Sequence, residues 1–356
     1  MSLYLCVDCG GSKTSAAISD ASGTIIGHGS GGPSNITYLT VDAFLNAIKV
    51  AVGAALQSAC SPPSDVPITL PFAGKSPFVA AWFGISGADS PAAITKVTAP
   101  LSMLLGIPVG PGLIIANDTH LLAAPVRMHP DVTNAVAVIA GTGSIAVSFR
   151  EVEGRIEELG RVGGWGWILG DEGGGFDVGR EALRQIFMEE DKASVTGIRP
   201  AYSELRVRIL ERFGVTNVME ILTGVYLPDP ISNAASFEDQ TALHAFPREK
   251  RISSLPPLVF EAAFKHNDPL AMNILKTSVR HISSQISILL GKGSRSVRAS
   301  ESVISFGGSL VGIEAYRNLI LQDLSQQGHV FRYIDFIDNA ATVGAIGLAA
   351  AYSSIP

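Results

Sequence analysis

The sequence predicts an α/β protein of two lobes, each a mixed sheet with flanking helices, facing one another across a cleft. Three observations carry this. The chain has 356 residues, more than most single cores hold, so two domains are expected. Hydrophobic residues make up 47% and charged residues 16%, a composition that can bury a large core. One pattern also occurs twice: an apolar strand, a glycine bend and a second strand, first around CGGSK and again around GTGS. This weak internal duplication points to two similar halves.

Taken in order, LYLCVD is a short apolar strand, and TSAAISD and TIIGHGSG form a hairpin around the turn ASG. VDAFLNAIKVAVGAALQSA has helical spacing and begins after Thr40, a fitting cap. Residues 61–77 are proline-rich and read as a surface loop. FVAAWFGIS and GLIIAND are buried strands on either side of the helical AAITKVTAPLSMLLG. Hairpin strands beside helix-linked parallel strands imply a mixed sheet. The pattern restarts with NAVAVIA, IAVSF and RIEELGRVGG as strands. Residues 176–292 are mostly helical in pattern, and SVISFGGSL returns to a strand and a glycine bend. The helix GIEAYRNLILQDL, the strand FRYIDFI and the helix ATVGAIGLAAAY complete the chain.

Charge and cysteine content exclude several classes of function. The net charge is −6 with no basic stripe, so nucleic acid is not an expected partner. No apolar run reaches the roughly 18 residues of a spanning helix, and the start MSLYLCVDCGG lacks the basic region of a signal peptide. The three cysteines form no disulfide framework, so a reducing cytoplasm is the expected compartment. Cys6 and Cys9 form a CxxC, but on a strand i and i+3 point to opposite faces. They read as buried thiols.

Four motifs carry chemistry. In DCGGSKTS, Gly10 and Gly11 let backbone N–H groups approach an anion. Ser12 and Thr14 add hydroxyls, Lys13 adds charge, and Asp8 at the strand end could hold Mg²⁺ through water. In AGTGSIA, a G-x-G-x-x-A match is followed by a strand, not a helix, so a nicotinamide site is rejected. A glycine hairpin offering Gly141, Thr142, Gly143 and Ser144 to phosphates fits instead. No Walker-type motif occurs. In LIIAND, Asp118 ends a buried strand, where α/β sheets collect ligands; capping the following THLLAAPV would explain it equally well. In SFGGSL, Gly307 and Gly308 let a flat ring or a phosphate lie against the backbone, or simply make a turn. The stretch GGWGWILGDEGGGFDVGREAL, residues 163–183, adds two tryptophans, two adjacent acids and many glycines, more than a core requires.

In this order, the elements resemble the superfamily of acetate and sugar kinases, chaperone ATPases and actin. The GGWGW…GDEG stretch narrows the resemblance to the N-acetylglucosamine kinases of the BadF/BadG/BcrA/BcrD ATPase family. It spans nearly the whole chain and includes GPSN at 32–35, SLPPLVFEAA at 254–263 and GAIGLA at 344–349. The resemblance implies two ribonuclease H-like, actin-like ATPase domains. One would be 1–129 with 340–356; the other, 130–339, would hold the second phosphate loop, the sugar loop, a helical insertion and the adenosine loop. It implies ATP and Mg²⁺ as cofactors, a small amino sugar as substrate and a homodimer. Asp118 matches the catalytic base, expected to act on the 6-hydroxyl. Asn35, Thr142, Gly164, Trp165 and Asp171 match sugar-pocket positions. Ser12 stands where the family usually has threonine. Adenosine contacts would fall at Gly307, Gly308 and Ser254. Two other readings are a kinase for glucosamine or N-acetylmuramate, and an activator ATPase serving a partner dehydratase. The second needs cluster-binding thiolates, and no cysteine follows Cys60. A catalytically dead sugar sensor is a third, opposed by the intact Asp118 and phosphate loops.

Overall fold

Two five-stranded sheets of matching topology organise the chain. The computed structural model describes residues 2–65, 68–72, 75–230 and 245–353. Of the proline-rich loop, residues 66–67 and 73–74 lie outside these. The first sheet contains β1 (Leu3–Cys9), β2 (Thr14–Ser19), β3 (Ile25–Gly31), β4 (Phe78–Ile85) and β5 (Leu113–Ala116), in the order β3-β2-β1-β4-β5. The second contains β6 (Asn134–Ala140), β7 (Ser144–Val152), β8 (Arg155–Gly163), β9 (Ser302–Gly307) and β10 (Tyr333–Phe336), in the order β10-β9-β6-β7-β8. In each sheet the leading strand makes an antiparallel three-strand meander with the next two, and is parallel to the strand on its other side. The duplication in the sequence is therefore a duplication of topology.

Close backbone approach fixes the first helix. α1 (Val41–Ala59) is capped by Thr40, whose hydroxyl accepts from Ala43 N–H, and it lies on β3. Gly27, Gly29 and Gly31 face Ala55, Ala51 and Ala47; a Cβ on any of the three would fall 2.0–2.4 Å from an α1 carbonyl. Two strand residues advance about 6.6 Å and four helix residues about 6 Å, so the two spacings match. α2 (Pro91–Leu105), capped by Ser90, joins α1 on that face. The last helix, α10 (Ala340–Ser353), returns to the other face of the first sheet, where Gly344 abuts Cys6. Cys6 and Cys9 thus lie in different cores on opposite faces of β1, as strand alternation requires.

The second sheet carries the helical region: α3 (Gly175–Thr196), α4 (Glu204–Phe213), α5 (Ile221–Tyr226), α6 (Arg248–Ser253), α7 (Pro256–Lys265), α8 (Pro269–Leu289) and α9 (Glu314–Gln326). Residues 231–244 of this region lie outside the described residues. Between the sheets runs a 3₁₀ helix, Asp118–Met128. Its Leu121 and Ala124 enter the core under the first sheet, while Leu122, Ala123 and Val126 enter the core under the second. Among the described residues, no helix is long and apolar enough to cross a membrane.

Candidate functional site

The parallel strands place the chemistry. β1, β4 and β5 are in register with Asp8 opposite Gly84 and Gly84 opposite Ala116. Their carboxyl ends therefore deliver Asp8, Ser86 and Asp118 to one edge, where ligands collect in such sheets. Asn117, not Asp118, caps the 3₁₀ helix: its side chain accepts from Thr119 N–H at 3.0 Å. The capping explanation of Asp118 fails for that reason. The Asp118 carboxylate instead accepts a short hydrogen bond from the Ser86 hydroxyl.

Burial pushes the Asp118 carboxyl above the ordinary aspartate range, with Ser86 and backbone N–H groups pulling the other way. Asp8 is pushed up to about 6, first by burial and then by the Asp118 charge, with Lys13 opposing. Two desolvated carboxylates repelling each other, with a lysine nearby, form a donor set suited to a hard divalent cation.

The first glycine loop closes on itself: Gly10 N–H donates to the Lys13 carbonyl at 3.0 Å. Gly11, Ser12 and Lys13 are exposed along it. Thr14 differs from expectation. It is fully buried, with its hydroxyl 2.6 Å from both the Gly32 carbonyl and the Ser34 hydroxyl, so it ties β2 to the loop after β3 and offers no donor to a phosphate. Asn35 follows that tie. Its side chain accepts from Thr37 N–H at 2.8 Å and stands beside Gly87, close enough that a Cβ there would be 2.9 Å from it.

A cleft of about 370 Å³ brings Ser86, Asp118, Gly141, Thr142, Gly143, Ser144, Gly164 and Asp171 together. The second glycine loop and the sugar-loop candidate are laced to each other. Gly175 N–H donates to the Gly141 carbonyl at 2.8 Å, and Phe176 N–H to the Thr142 carbonyl at 3.0 Å. The Asp171 carboxylate accepts from Ser144 and Gly166 N–H groups, yet burial still holds its pKa above the usual value. It lies where a Cβ on Gly143 would stand, 2.3 Å away. Ser144 corrects a second expectation: its buried hydroxyl donates to the Glu172 carbonyl at 2.8 Å and serves the lacing, not a phosphate.

Gly308, with φ +103°, lies against the Ala140 carbonyl, and Leu310 N–H donates to the same oxygen at 2.9 Å. The late glycine pair therefore abuts the second loop. Of the predicted site residues, Asp8, Gly10, Gly11, Ser12, Lys13, Thr14, Asn35, Trp165, Ser254, Gly307 and Gly308 do not line this cleft. Trp165 is 69% exposed, and Trp167, 39% exposed, rests on Phe176 with ring centroids 5.1 Å apart. Ser254 follows α6, and its hydroxyl donates to the Arg251 carbonyl at 3.3 Å.

Sequence reasoning missed Ser86, Asp89 and Arg161. Arg161 on β8 reaches Asp89 of the other lobe at 3.5 Å, and Asn117 donates to the same carboxylate at 2.9 Å. No local motif marks these residues, because they meet only where the ends of the first sheet's strands pack against the second sheet. Asp89 and Arg161 border a second, larger cavity of about 840 Å³ along the edge strands β5 and β8, which shares Asp89, Asn117, Thr119, Ile145 and Arg161 with the first.

A model of the BadF/BadG/BcrA/BcrD ATPase family matches residues 5–352. An N-acetylmuramic acid/N-acetylglucosamine kinase of Clostridium acetobutylicum is 40% identical over 81 residues, 22% of this chain and 24% of that one. An N-acetyl-D-glucosamine kinase of Dictyostelium discoideum is 30% identical over 128 residues, 36% of this chain and 32% of that one. The matched segments thus span about a quarter and a third of these relatives. Among solved structures, a protein of Chromobacterium violaceum provisionally described as an N-acetylglucosamine kinase superposes with a TM-score of 0.59 at 21% identity, covering 98% of this chain and 99% of that one. The likeness shows a shared fold, two mixed five-stranded sheets with flanking helices.

Proposed function

We propose that this chain, which belongs to the BadF/BadG/BcrA/BcrD ATPase family, transfers the terminal phosphoryl group of ATP to an amino sugar, N-acetyl-D-glucosamine, at its 6-hydroxyl. The observation that carries this reading is the shared cleft, in which a desolvated strand-end carboxylate, Asp118, faces a glycine loop laced to a second acid, Asp171. Phosphoryl transfer needs positioning and charge neutralisation more than covalent help from the protein. The backbone N–H groups of Gly11, Ser12 and Lys13 and of Thr142 and Gly143 cradle the phosphates, with Gly10 and Gly141 N–H groups closing the two loops on the Lys13 and Gly143 carbonyls, and the Gly307–Gly308 bend receives the adenosine. Asp8 would hold Mg²⁺, which would supply charge neutralisation at the phosphates. Asp118 accepts the proton of the attacking hydroxyl, and the Ser86 hydrogen bond keeps that carboxylate ionised and aimed. Asp171 and Asn35 orient the sugar rim, with Gly164 beneath it. Trp165 stands exposed beside the cleft and covers a sugar face once the lobes close.

The test is ADP release measured across N-acetylglucosamine, N-acetylmuramate, N-acetylmannosamine, glucosamine and glucose. Turnover with no amino sugar rejects the proposal. Asp118→Asn retains sugar binding by calorimetry while kcat falls about 10²–10⁴-fold, the usual worth of general-base help. A variant with normal turnover would remove Asp118 from that role.

A second reading has one observation in its favour. The larger cavity joins the cleft through Arg161 and Asn117, leaving room beside the acceptor for an acidic substituent such as the lactyl ether of N-acetylmuramate. The same panel decides it by the ratio of the two kcat/KM values.

A further inference from the structure

Four charged side chains gather beside the sugar loop, outside the cleft lining: Glu172, Asp177, Arg180 and His281. Ligand atoms of Glu172, Asp177 and His281 lie within 4.8 Å of one another, the composition of a metal site. The hydrogen bonds say otherwise. Arg180 Nη2 donates to Asp177 Oδ1 at 2.6 Å and to Glu172 Oε2 at 2.7 Å. Asp177 Oδ2 accepts from Gly173 N–H and from His281 Nδ1, both at 2.9 Å. A guanidinium, an imidazole and a backbone amide already take the lone pairs that a cation would need.

What hangs from this cluster is the sugar loop. Asp171 has φ +61°, a conformation uncommon for a side-chain-bearing residue, and Gly173 has φ +84°. A Cβ on Gly173 would lie 2.4 Å from Ile282 of α8. The Gly173 carbonyl accepts from the buried Tyr316 hydroxyl of α9 at 3.1 Å, and the Glu172 carbonyl accepts from Ser144 of the second glycine loop. A left-handed turn of this kind persists only where its neighbours over-determine it.

We propose that Asp177 and His281 are positioning residues: the pair grips Gly173 N–H from behind and fixes the 171–176 turn, so that Asp171 and the 141–144 loop hold one register toward the acceptor sugar. The sugar part of this rests on the kinase reading above. The grip is charge-dependent. Although burial alone would raise it, the Asp177 carboxyl is held at about 2 by His281 and its other donors. His281 is raised above the ordinary imidazole range, first by its hydrogen bond to Asp177 and then by the charges of Asp177, Glu172 and Glu181, against partial burial. Arg180 faces the same carboxylates and keeps its charge throughout. A histidine raised in this way contributes below its unfolded pKa, and its contribution is lost as pH rises through the folded value.

The experiment compares wild type with His281→Ala and His281→Gln. Hydrogen exchange of the 163–176 peptide, read by mass spectrometry, needs no activity. His281→Ala exchanges this peptide faster than wild type at pH 6, and the difference narrows at pH 9. His281→Gln, which keeps an uncharged donor, restores part of the protection at pH 6 and makes it independent of pH. In the coupled assay His281→Ala raises the sugar KM about 10–100-fold with kcat little changed, the pattern of a displaced binding residue. The wild-type KM rises at alkaline pH, and His281→Gln removes that rise. Unchanged exchange in His281→Ala overturns the proposal, as does altered exchange with a wild-type sugar KM. Altered exchange in a protein whose wild type phosphorylates no amino sugar upholds the grip and rejects the kinase reading.

Discussion

Asp118 and Asp8 show how much of a side chain's chemistry is set by neighbours distant in sequence. Each is raised chiefly by burial, and Asp8 also by the charge of Asp118. Both must be ionised to work, so kcat/KM falls as pH drops through about 6, where Asp8 takes up a proton. Raising Mg²⁺ moves that acid limb lower, because metal and proton compete for Asp8; a limb that ignores Mg²⁺ belongs to another group. Ser86→Ala removes a hydrogen bond to the ionised form of Asp118 and raises that carboxyl's own titration, which a pH–rate profile reads as a further loss of activity on the acid side. The sequence marks Asp118 and the glycine loops because their spacing is local. It misassigns the hydroxyls of Thr14 and Ser144, since a hydroxyl beside a glycine loop looks the same whether its partner is a phosphate or a buried carbonyl.

At the scale of elements, spacing along two segments fixes how they meet. The alternate glycines of β3 and the i, i+4 alanines of α1 form a close-packed seam. Gly29→Ala would put a methyl 2.0 Å from the Ala51 carbonyl, with backbone on all sides. Overpacking of that kind costs about 1–3 kcal/mol or more and appears as a lower denaturant midpoint at unchanged slope; wild-type stability would mean that α1 slides freely on the sheet. The glycines are plain in the sequence, but their contact with α1 is not, because it needs the meander to twist β3 beneath the helix. The 3₁₀ helix after Asp118 is a similar case. THLLAAPV reads as a helix, yet eleven residues in 3₁₀ form are far more than such turns usually reach.

At the scale of the molecule, that 3₁₀ helix is buried against both sheets, and Asp118 begins it. We propose that the lobes close about it when sugar and nucleotide bind, bringing the exposed Trp165 over the acceptor and excluding water. Small-angle scattering shows a smaller radius of gyration with both ligands than with either alone; no compaction would count against closure. The Asp89–Arg161 bridge between the lobes is largely exposed, so Asp89→Ala changes stability by less than about 1 kcal/mol, measured by chemical denaturation. A homodimer remains our expectation, checked by sedimentation equilibrium.

The sequence by itself determined the order of elements, the doubled strand–glycine–strand plan and the two glycine loops, because period, turn chemistry and repetition are properties of neighbouring residues. It also carried the family resemblance, in GGWGW…GDEG. Only the tertiary structure decided that Asn117 and not Asp118 caps the 3₁₀ helix, that Ser86 holds Asp118, and that Asp177 meets His281 across 104 positions of chain. Those pairings follow from parallel register and helix packing, which bring together residues whose separation in sequence carries no trace of their contact.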